Sequence, residues 1–133
     1  MTMMTIPPRP ALLDRPHQDM LIGGQRVPAL SGKRFETRNP ATGELLATVA
    51  QGGAEDVDRA VKTARAALEG PWRAMKPVER QRIMLRLADL VEQHFEELAM
   101  LDTLDLGAPY SRTFMGKARA VALLRYYAGQ ATL

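Results

Sequence analysis

Cysteine is absent from the 133-residue sequence, and histidine occurs only twice, at His17 and His94. The lack of cysteine excludes disulfides and thiolate nucleophiles from this chain, together with most structural zinc sites. Two histidines without cysteine do not predict a transition-metal site. A cysteine-free chain fits a reducing compartment, so the predicted location is the cytoplasm.

Long apolar runs are also lacking, since no stretch approaches the roughly 18 residues of a membrane span. The opening "MTMMTIPPRP" has no basic region followed by an apolar stretch, so it does not predict a secretory signal. No GxGxxG or GxxxxGK[ST] pattern occurs, which leaves the chain without a recognisable phosphate loop. With 18 basic and 15 acidic residues the net charge is only +3. We therefore predict neither a membrane nor a nucleic-acid partner.

The first half of the chain reads as a proline-rich tail followed by short strands. Residues 1–19 carry four prolines and no period, which predicts a mobile tail. Gly23-Gly24 then separates two short extended runs and predicts a hairpin. A second hairpin is predicted over "TRNPATGELLATV", Thr37 to Val49, because Asn39-Pro40 and Thr42-Gly43 are typical turn residues.

From Glu55 onward the apolar period changes to that of helices. The first helix is predicted to end at Gly70-Pro71, with an apolar stripe of Val57, Ala60, Val61, Ala64, Ala67 and Leu68. A second helix is predicted to open at Pro77, and a third to stop at Gly107. A fourth is predicted from about Ser111 to Tyr127. Two or three short strands form a poor sheet alone, which indicates part of a larger fold.

Few side chains in the sequence are candidates for a catalytic or ligand-binding role. His94 near a helix end fits a partly exposed helical histidine better than a catalytic base. The basic cluster between Arg73 and Arg86 lacks interleaved aromatics and fits a solvated helix face. Asp105 is different, because it continues an apolar stripe and is therefore predicted to be buried with a partner. That partner is either a local amide or basic side chain, or a cation.

Several short motifs follow one another along the chain. They are Asn39-Pro40-Ala41-Thr42-Gly43, Asp56-Val57-Asp58, Pro71-Trp72-Arg73, Leu87-Ala88-Asp89-Leu90, Leu104-Asp105-x-Gly107-x-Pro109 and Arg125-Tyr126-Tyr127-Ala128-Gly129. In this order they resemble the opening segment of the aldehyde dehydrogenase superfamily. The resemblance runs from about Met20 to Leu133, so residues 20–133 are assigned to the N-terminal part of that family's cofactor-binding domain.

The resemblance implies an α/β fold, here an incomplete strand-hairpin and helix layer of the cofactor domain. It implies that a complete protein oxidises a small-molecule aldehyde to a carboxylate with NAD or NADP through a cysteine thiohemiacetal, released by water that a glutamate activates. In the family those groups, and the cofactor contacts, lie beyond the position of Leu133. We therefore expect this chain alone to be inactive and oligomerisation to belong to the complete protein.

The resemblance also implies one candidate site. Many members of the family bind a monovalent cation, K⁺ or Na⁺, through main-chain oxygens at the positions of Thr37 and Arg38 and through the aspartate at the position of Asp105. A hard cation suits oxygen ligands, and a further ligand would come from beyond this chain. The alternative, in which Asp105 bonds local amides, remains open. Leu106, Ala108 and Gln130 depart from the usual pattern and leave the substrate open.

A different class of function is a non-catalytic helical module that binds a partner through its apolar helix faces. The apolar stripes discriminate between the two hypotheses: an aldehyde dehydrogenase segment predicts that the helices from Glu55 to Tyr127 have apolar faces with no partner, because its neighbours are missing. A compact, monodisperse chain that binds no hydrophobic dye would count against that hypothesis.

Overall fold

The computed structural model describes residues 6–132, and these fall into two compact units. One unit comprises Ala11–Ala74. The other comprises residues 75–132 together with residues 6–10. The first unit holds all the strands and the second holds four helices, so the predicted α/β class is confirmed.

The Ala11–Ala74 unit contains a three-stranded sheet and a separate hairpin. The sheet has the order β1-β5-β4, in which β5 pairs parallel with β1 and antiparallel with β4. The hairpin joins β2 and β3 through Gly23 and Gly24, whose φ angles of 61° and 77° suit the predicted tight turn. The bounds are β1 His17–Gln18, β2 Met20–Ile22, β3 Gln25–Val27, β4 Arg34–Arg38 and β5 Leu45–Ala50, followed by helices α1 Ala54–Glu69 and α2 Pro71–Ala74.

The turn between β4 and β5 is built by Asn39 and Gly43. The Asn39 side-chain oxygen accepts a hydrogen bond from the Ala41 N–H at 2.9 Å, and the Asn39 carbonyl accepts one from the Gly43 N–H at 2.7 Å. Gly43 has a φ of 74°, a left-handed conformation that favours glycine. Asn39 is itself buried. The predicted hairpin is therefore confirmed, with a local hydrogen-bond network as its cause.

The alternation of buried side chains along β5 is interrupted by a bulge. Thr37 pairs with Ala47, but Arg38 pairs with Leu45, so Leu46 is the additional residue. Leu46 and Ala47 are consecutive and both buried, because a bulge removes the strict alternation of a regular strand.

The second unit consists of four helices. They are α3 Pro77–Gln93, α4 Phe95–Leu106, α5 Tyr110–Phe114 and α6 Lys117–Gln130. Helix α3 begins at Pro77 as predicted, with a proline in its first turn. Helix α4 is followed by Gly107, whose φ of 71° forms a left-handed C-cap, a backbone conformation that favours glycine.

The predicted fourth helix from Ser111 to Tyr127 is wrong as a single element. The structure divides it into α5 and α6 at Met115 and Gly116. The Gly116 N–H donates to the Thr113 carbonyl, only three residues back, which closes a tight turn. Glycine is unfavourable inside a helix, and a Cβ at Gly116 would stand 3.4 Å from the Thr113 carbonyl oxygen. The break is therefore located at the residue least suited to a continuous helix.

The prediction of an irregular tail over residues 1–19 is wrong for its second half. Residues Ala11–Asp14 form a short 3-10 helix, and His17–Gln18 form β1 beside β5. The Thr48 N–H donates to the Pro16 carbonyl at 3.0 Å, which holds this segment in place. Residues 1–5 lie outside the described range. Because His17 and its partner Thr48 are 31 residues apart in the chain, the sequence around His17 carries no local signal of this strand pairing. The sequence alone therefore did not predict β1.

The helices expose many large apolar side chains, as predicted. Within residues 54–132 the exposed ones are Val57, Val61, Leu68, Trp72, Val78, Ile83, Leu85, Leu87, Leu90, Leu98, Leu106, Met115, Leu123, Tyr126 and Tyr127. In residues 6–132 no helix combines the length and the apolar character that crossing a bilayer requires.

Candidate functional site

Two of the sequence motifs named above lie on α3 and α6, and these two helices pack against each other. Ala88 of α3 and Ala128 of α6 are both fully enclosed, and these two helices form the most extensive helix contact of their unit. Arg125 donates to Asp89 at 3.2 Å and to Glu92 at 2.7 Å. Small buried residues allow close approach of helices, so these motif residues have a structural role in holding α3 to α6.

A cleft of about 640 Å³ lies beside this helix pair, and we call it the α6 cleft. Its walls are mostly apolar, with charged groups at Glu92, Lys117 and Arg125. Hydrogen bonds to Asp89 and then to Glu92 raise the pKa of Arg125 above its usual value. Its lining residues are Glu92, Phe114, Met115, Lys117, Ala118, Val121, Ala122 and Arg125. A cleft of this size and lining suits an apolar ligand or side chain.

Aromatic side chains support one end of the α6 cleft. Phe114, which lines the cleft, packs edge-on against Phe95 at a centroid distance of 6.2 Å. Its ring also contacts Tyr110 in a tilted arrangement at 5.7 Å. Partial burial, and then the nearby charge of Glu96, raise the pKa of Tyr110 above 10.0. The Thr113 and Thr103 hydroxyls hydrogen-bond at 3.0 Å and join α5 to α4. The cleft wall is therefore held by packing rather than by a loop.

Asp56 at the start of α1 is the most deeply buried charged residue of the described chain, at 3% exposure. Its carboxylate accepts hydrogen bonds from the Gly53 N–H at 3.0 Å and from the Leu30 N–H at 3.1 Å. The first bond caps the helix, and the second joins α1 to the loop after β3. Nothing local in the sequence links Asp56 to Leu30, so the sequence alone did not predict this second bond.

The residues of the predicted cation site belong to different units. Thr37 is half-buried in β4, and the Arg38 guanidinium next to it bonds Glu36 at 2.7 Å and the Gly43 carbonyl at 3.0 Å. Asp105 lies in the last turn of α4 and is exposed, so its predicted burial is wrong for this chain. On α4 the side chains of Leu101 and Leu104 are half-buried, whereas the side chain of Asp105 is exposed. The cation site stays a prediction.

Other candidate residues have no catalytic surroundings. His94 is exposed between α3 and α4, and its Nδ1 lies 3.9 Å from Glu97. Arg73 forms an exposed ion pair with Glu69 at 3.1 Å, in agreement with a solvated face. Within residues 6–132 no three His, Cys, Asp or Glu side chains converge on a possible metal position. The residues that line the α6 cleft include no cysteine, serine or threonine.

The sequence of this chain is similar to those of known proteins. The model of the aldehyde dehydrogenase family matches residues 27–133. A mitochondrial aldehyde dehydrogenase, family 2 member B4, of Arabidopsis thaliana is 53% identical over 86% of this chain and 22% of its own length. A phenylacetaldehyde dehydrogenase of Pseudomonas fluorescens is 51% identical over 88% of this chain and 24% of its own length.

A solved structure agrees with these matches. The NAD⁺ complex of an aldehyde dehydrogenase from Bacillus cereus superposes with a TM-score of 0.87 at 44% identity, over 95% of this chain and 26% of that chain. The chain thus spans about a quarter of the length of the relatives that it matches. Because the family match covers most of the sequence and the fold agrees with it, the chain belongs to the aldehyde dehydrogenase family.

Proposed function

We propose that this chain is the N-terminal part of an enzyme that oxidises a small-molecule aldehyde to a carboxylate with NAD or NADP. The observation that carries the proposal is the combined match of sequence and fold over residues 27–133, including agreement with a structure that holds NAD⁺. The chain contributes residues 20–133 to the cofactor-binding, Rossmann-like domain, preceded by residues 1–19, of which His17 and Gln18 pair with β5. The alternative is a truncated remnant that acts, if at all, as a non-catalytic helical module, which would bind a partner through the exposed apolar faces.

In the proposed enzyme the residues of this chain support the reaction rather than perform it. A bound nicotinamide cofactor would supply the hydride acceptor for this oxidation, and the residues of this chain are not proposed to hold it. The pair of α3 and α6, held by Ala88, Ala128 and Arg125, keeps the α6 cleft open and its apolar wall fixed. The nucleophile comes from outside this sequence, since it contains no cysteine.

The activity test compares the isolated chain with the complete protein. The purified 133-residue chain is expected to form no reduced nicotinamide from phenylacetaldehyde with NAD or NADP, because it lacks the cysteine nucleophile. The source transcript is read past the codon for Leu133 in all three frames, and the encoded product is assayed in the same way. Activity of that product with a cysteine downstream would support the proposal. A product with cysteine and cofactor segments in frame but no aldehyde oxidation would contradict it.

We also propose a K⁺ or Na⁺ site in the complete protein, formed by the main-chain oxygens of Thr37 and Arg38 and by the Asp105 carboxylate. A cation at about ten times its dissociation constant would stabilise the folded state by about 1.4 kcal/mol. Asp105→Asn is therefore expected to remove the rise in thermal midpoint that KCl or NaCl produces relative to choline chloride. The control is Asp102→Asn, an exposed aspartate on the same helix. Equal midpoints in all three salts for the unmodified protein would refute the site.

The remaining properties are proposed for the complete protein. We propose a cytoplasmic location, although the Arabidopsis relative is named as mitochondrial. We propose that it forms homo-oligomers and has neither nucleic acid nor membrane as a partner. The near balance of charge, 18 basic against 15 acidic residues, supports the absence of a nucleic-acid partner.

A further inference from the structure

The α6 cleft contains one positive charge that has no ion-pair partner. Lys117 lines the cleft and is half-buried. Among residues 6–132, no carboxylate forms an ion pair with its ammonium group. The other two charged residues of the cleft, Glu92 and Arg125, are paired with each other at 2.7 Å. Because a partly desolvated cation without a counter-charge is unfavourable, Lys117 is the group in the cleft that gains most from a bound anion.

The rest of the cleft wall is apolar and extends along α6. Val121 is buried one helical turn beyond Lys117, and the half-buried ring of Phe114 forms another part of the wall. Arg125 follows after a second turn, so Lys117 and Arg125 are separated by about 12 Å along the helix axis. The cleft therefore combines an elongated apolar surface with an unpaired cation at one end.

We propose that the α6 cleft binds an elongated apolar molecule that ends in a carboxylate, such as an arylalkyl carboxylate. The carboxylate contacts the Lys117 ammonium, and the apolar part lies against Val121 and Phe114. An uncharged ligand would leave Lys117 without a partner, and a small inorganic anion would leave the apolar wall uncovered. The volume of about 640 Å³ is in the range of small-molecule sites. The proposal goes beyond the proposed function and does not depend on it.

The test compares two ligands by isothermal titration calorimetry. Phenylbutyrate has the proposed chemistry, and phenylbutanol has the same apolar part without the charge. Both are titrated into the 133-residue chain and into the complete protein that the source transcript encodes. Phenylbutyrate is expected to bind roughly tenfold more tightly, because its carboxylate accepts a charge-assisted hydrogen bond from Lys117. Equal affinities for the two ligands, or no binding of phenylbutyrate, would overturn the proposal.

A pair of variants on α6 tests the role of the cation. Lys117→Met keeps an unbranched side chain but removes the charge, so it should abolish the preference for phenylbutyrate over phenylbutanol. The matched control is Arg119→Met, which removes the same charge from an exposed position of α6 outside the cleft lining. This control should retain the preference. Equal losses in the two variants would show that net charge, rather than the cleft, attracts the anion, and would overturn the site.

A third variant tests the apolar wall. Ala122 is exposed and lines the cleft, so the larger side chain of Ala122→Leu would occupy part of the ligand volume. The variant should weaken the binding of phenylbutyrate and phenylbutanol by a similar factor, about threefold or more, and should leave their ratio unchanged. Unchanged affinities for both ligands would place the binding outside the α6 cleft and overturn the proposal.

The complete protein provides two further comparisons. Binding of phenylbutyrate by the 133-residue chain that is lost in the complete protein would show that the cleft is filled there, and would overturn the proposal. Intact binding without any aldehyde oxidation would support the site and count against the proposed function.

The carboxylate has two possible sources, the product of the proposed oxidation or an acid made elsewhere. The acid of an aldehyde that the complete protein oxidises is therefore titrated beside phenylbutyrate. Tighter binding of that acid would support the site with the product as its ligand, and weaker binding would support the site with a separate acid as its ligand.

Discussion

Asp56→Ala is expected to lower the free energy of unfolding of the chain by about 2–4 kcal/mol. The substitution removes the acceptor for the Gly53 and Leu30 N–H groups, at 3.0 and 3.1 Å. Both donors would then lie in a partly buried place without an acceptor, which costs more than the loss of an exposed bond. Urea denaturation followed by circular dichroism measures the change.

The control for this prediction lies on the same helix. Asp58 is 61% exposed and forms only an ion pair with Lys62, so Asp58→Ala should change the stability by about 0.5 kcal/mol or less. Asp56→Asn should fall between the two, because the amide retains one acceptor oxygen. Equal losses for Asp56→Ala and Asp58→Ala would show that the bond to Leu30 does not contribute to folding.

Ala128→Leu is expected to cost about 1–3 kcal/mol by overpacking the contact between α3 and α6. Ala128 is fully enclosed, as is Ala88 on the facing helix, so a larger side chain must displace a helix. The displacement would also separate Arg125 from Asp89 and Glu92 and alter the wall of the α6 cleft. The measurement is the urea midpoint together with the near-ultraviolet spectrum of Tyr126 and Tyr127.

Ala122→Leu makes the same change on the same helix at an exposed position that lines the cleft. It should leave the free energy of unfolding within about 0.5 kcal/mol of that of the unmodified chain. Ala88→Leu should reproduce the loss seen with Ala128→Leu, since both residues occupy the same kind of enclosed position. A tolerated Ala128→Leu would mean that α3 and α6 do not pack as closely as the structure indicates.

Features with a local cause were predictable from sequence. Gly43 and Gly107 adopt the left-handed conformations that their turn and helix-end positions suggested. Pro77 opens α3, and Gly70-Pro71 ends α1. Each of these depends on the conformational preference of one or two residues, which any sequence displays. The break at Gly116 had the same kind of signal, but the apolar period on both sides suggested a continuous helix.

The candidate site was less predictable than the fold. Thr37, Arg38 and Asp105 were selected through resemblance, and the period of α4 wrongly predicted that Asp105 is buried. The α6 cleft joins Glu92 of α3 to residues of α5 and α6, a grouping that depends on how helices cross. Sequence period specifies which residues share a helix face but not which neighbour that face meets.

By itself the sequence determined where α1 ends and where α3 begins, the two hairpins, the absence of cysteine and the family, because local preferences and ordered motifs carry that information. Only the tertiary structure decided that His17 and Gln18 join β5, that Asp56 bonds Leu30, and that α1 leaves its apolar stripe exposed. These features depend on contacts between residues distant in the chain, and such contacts form only when the whole fold brings the segments together.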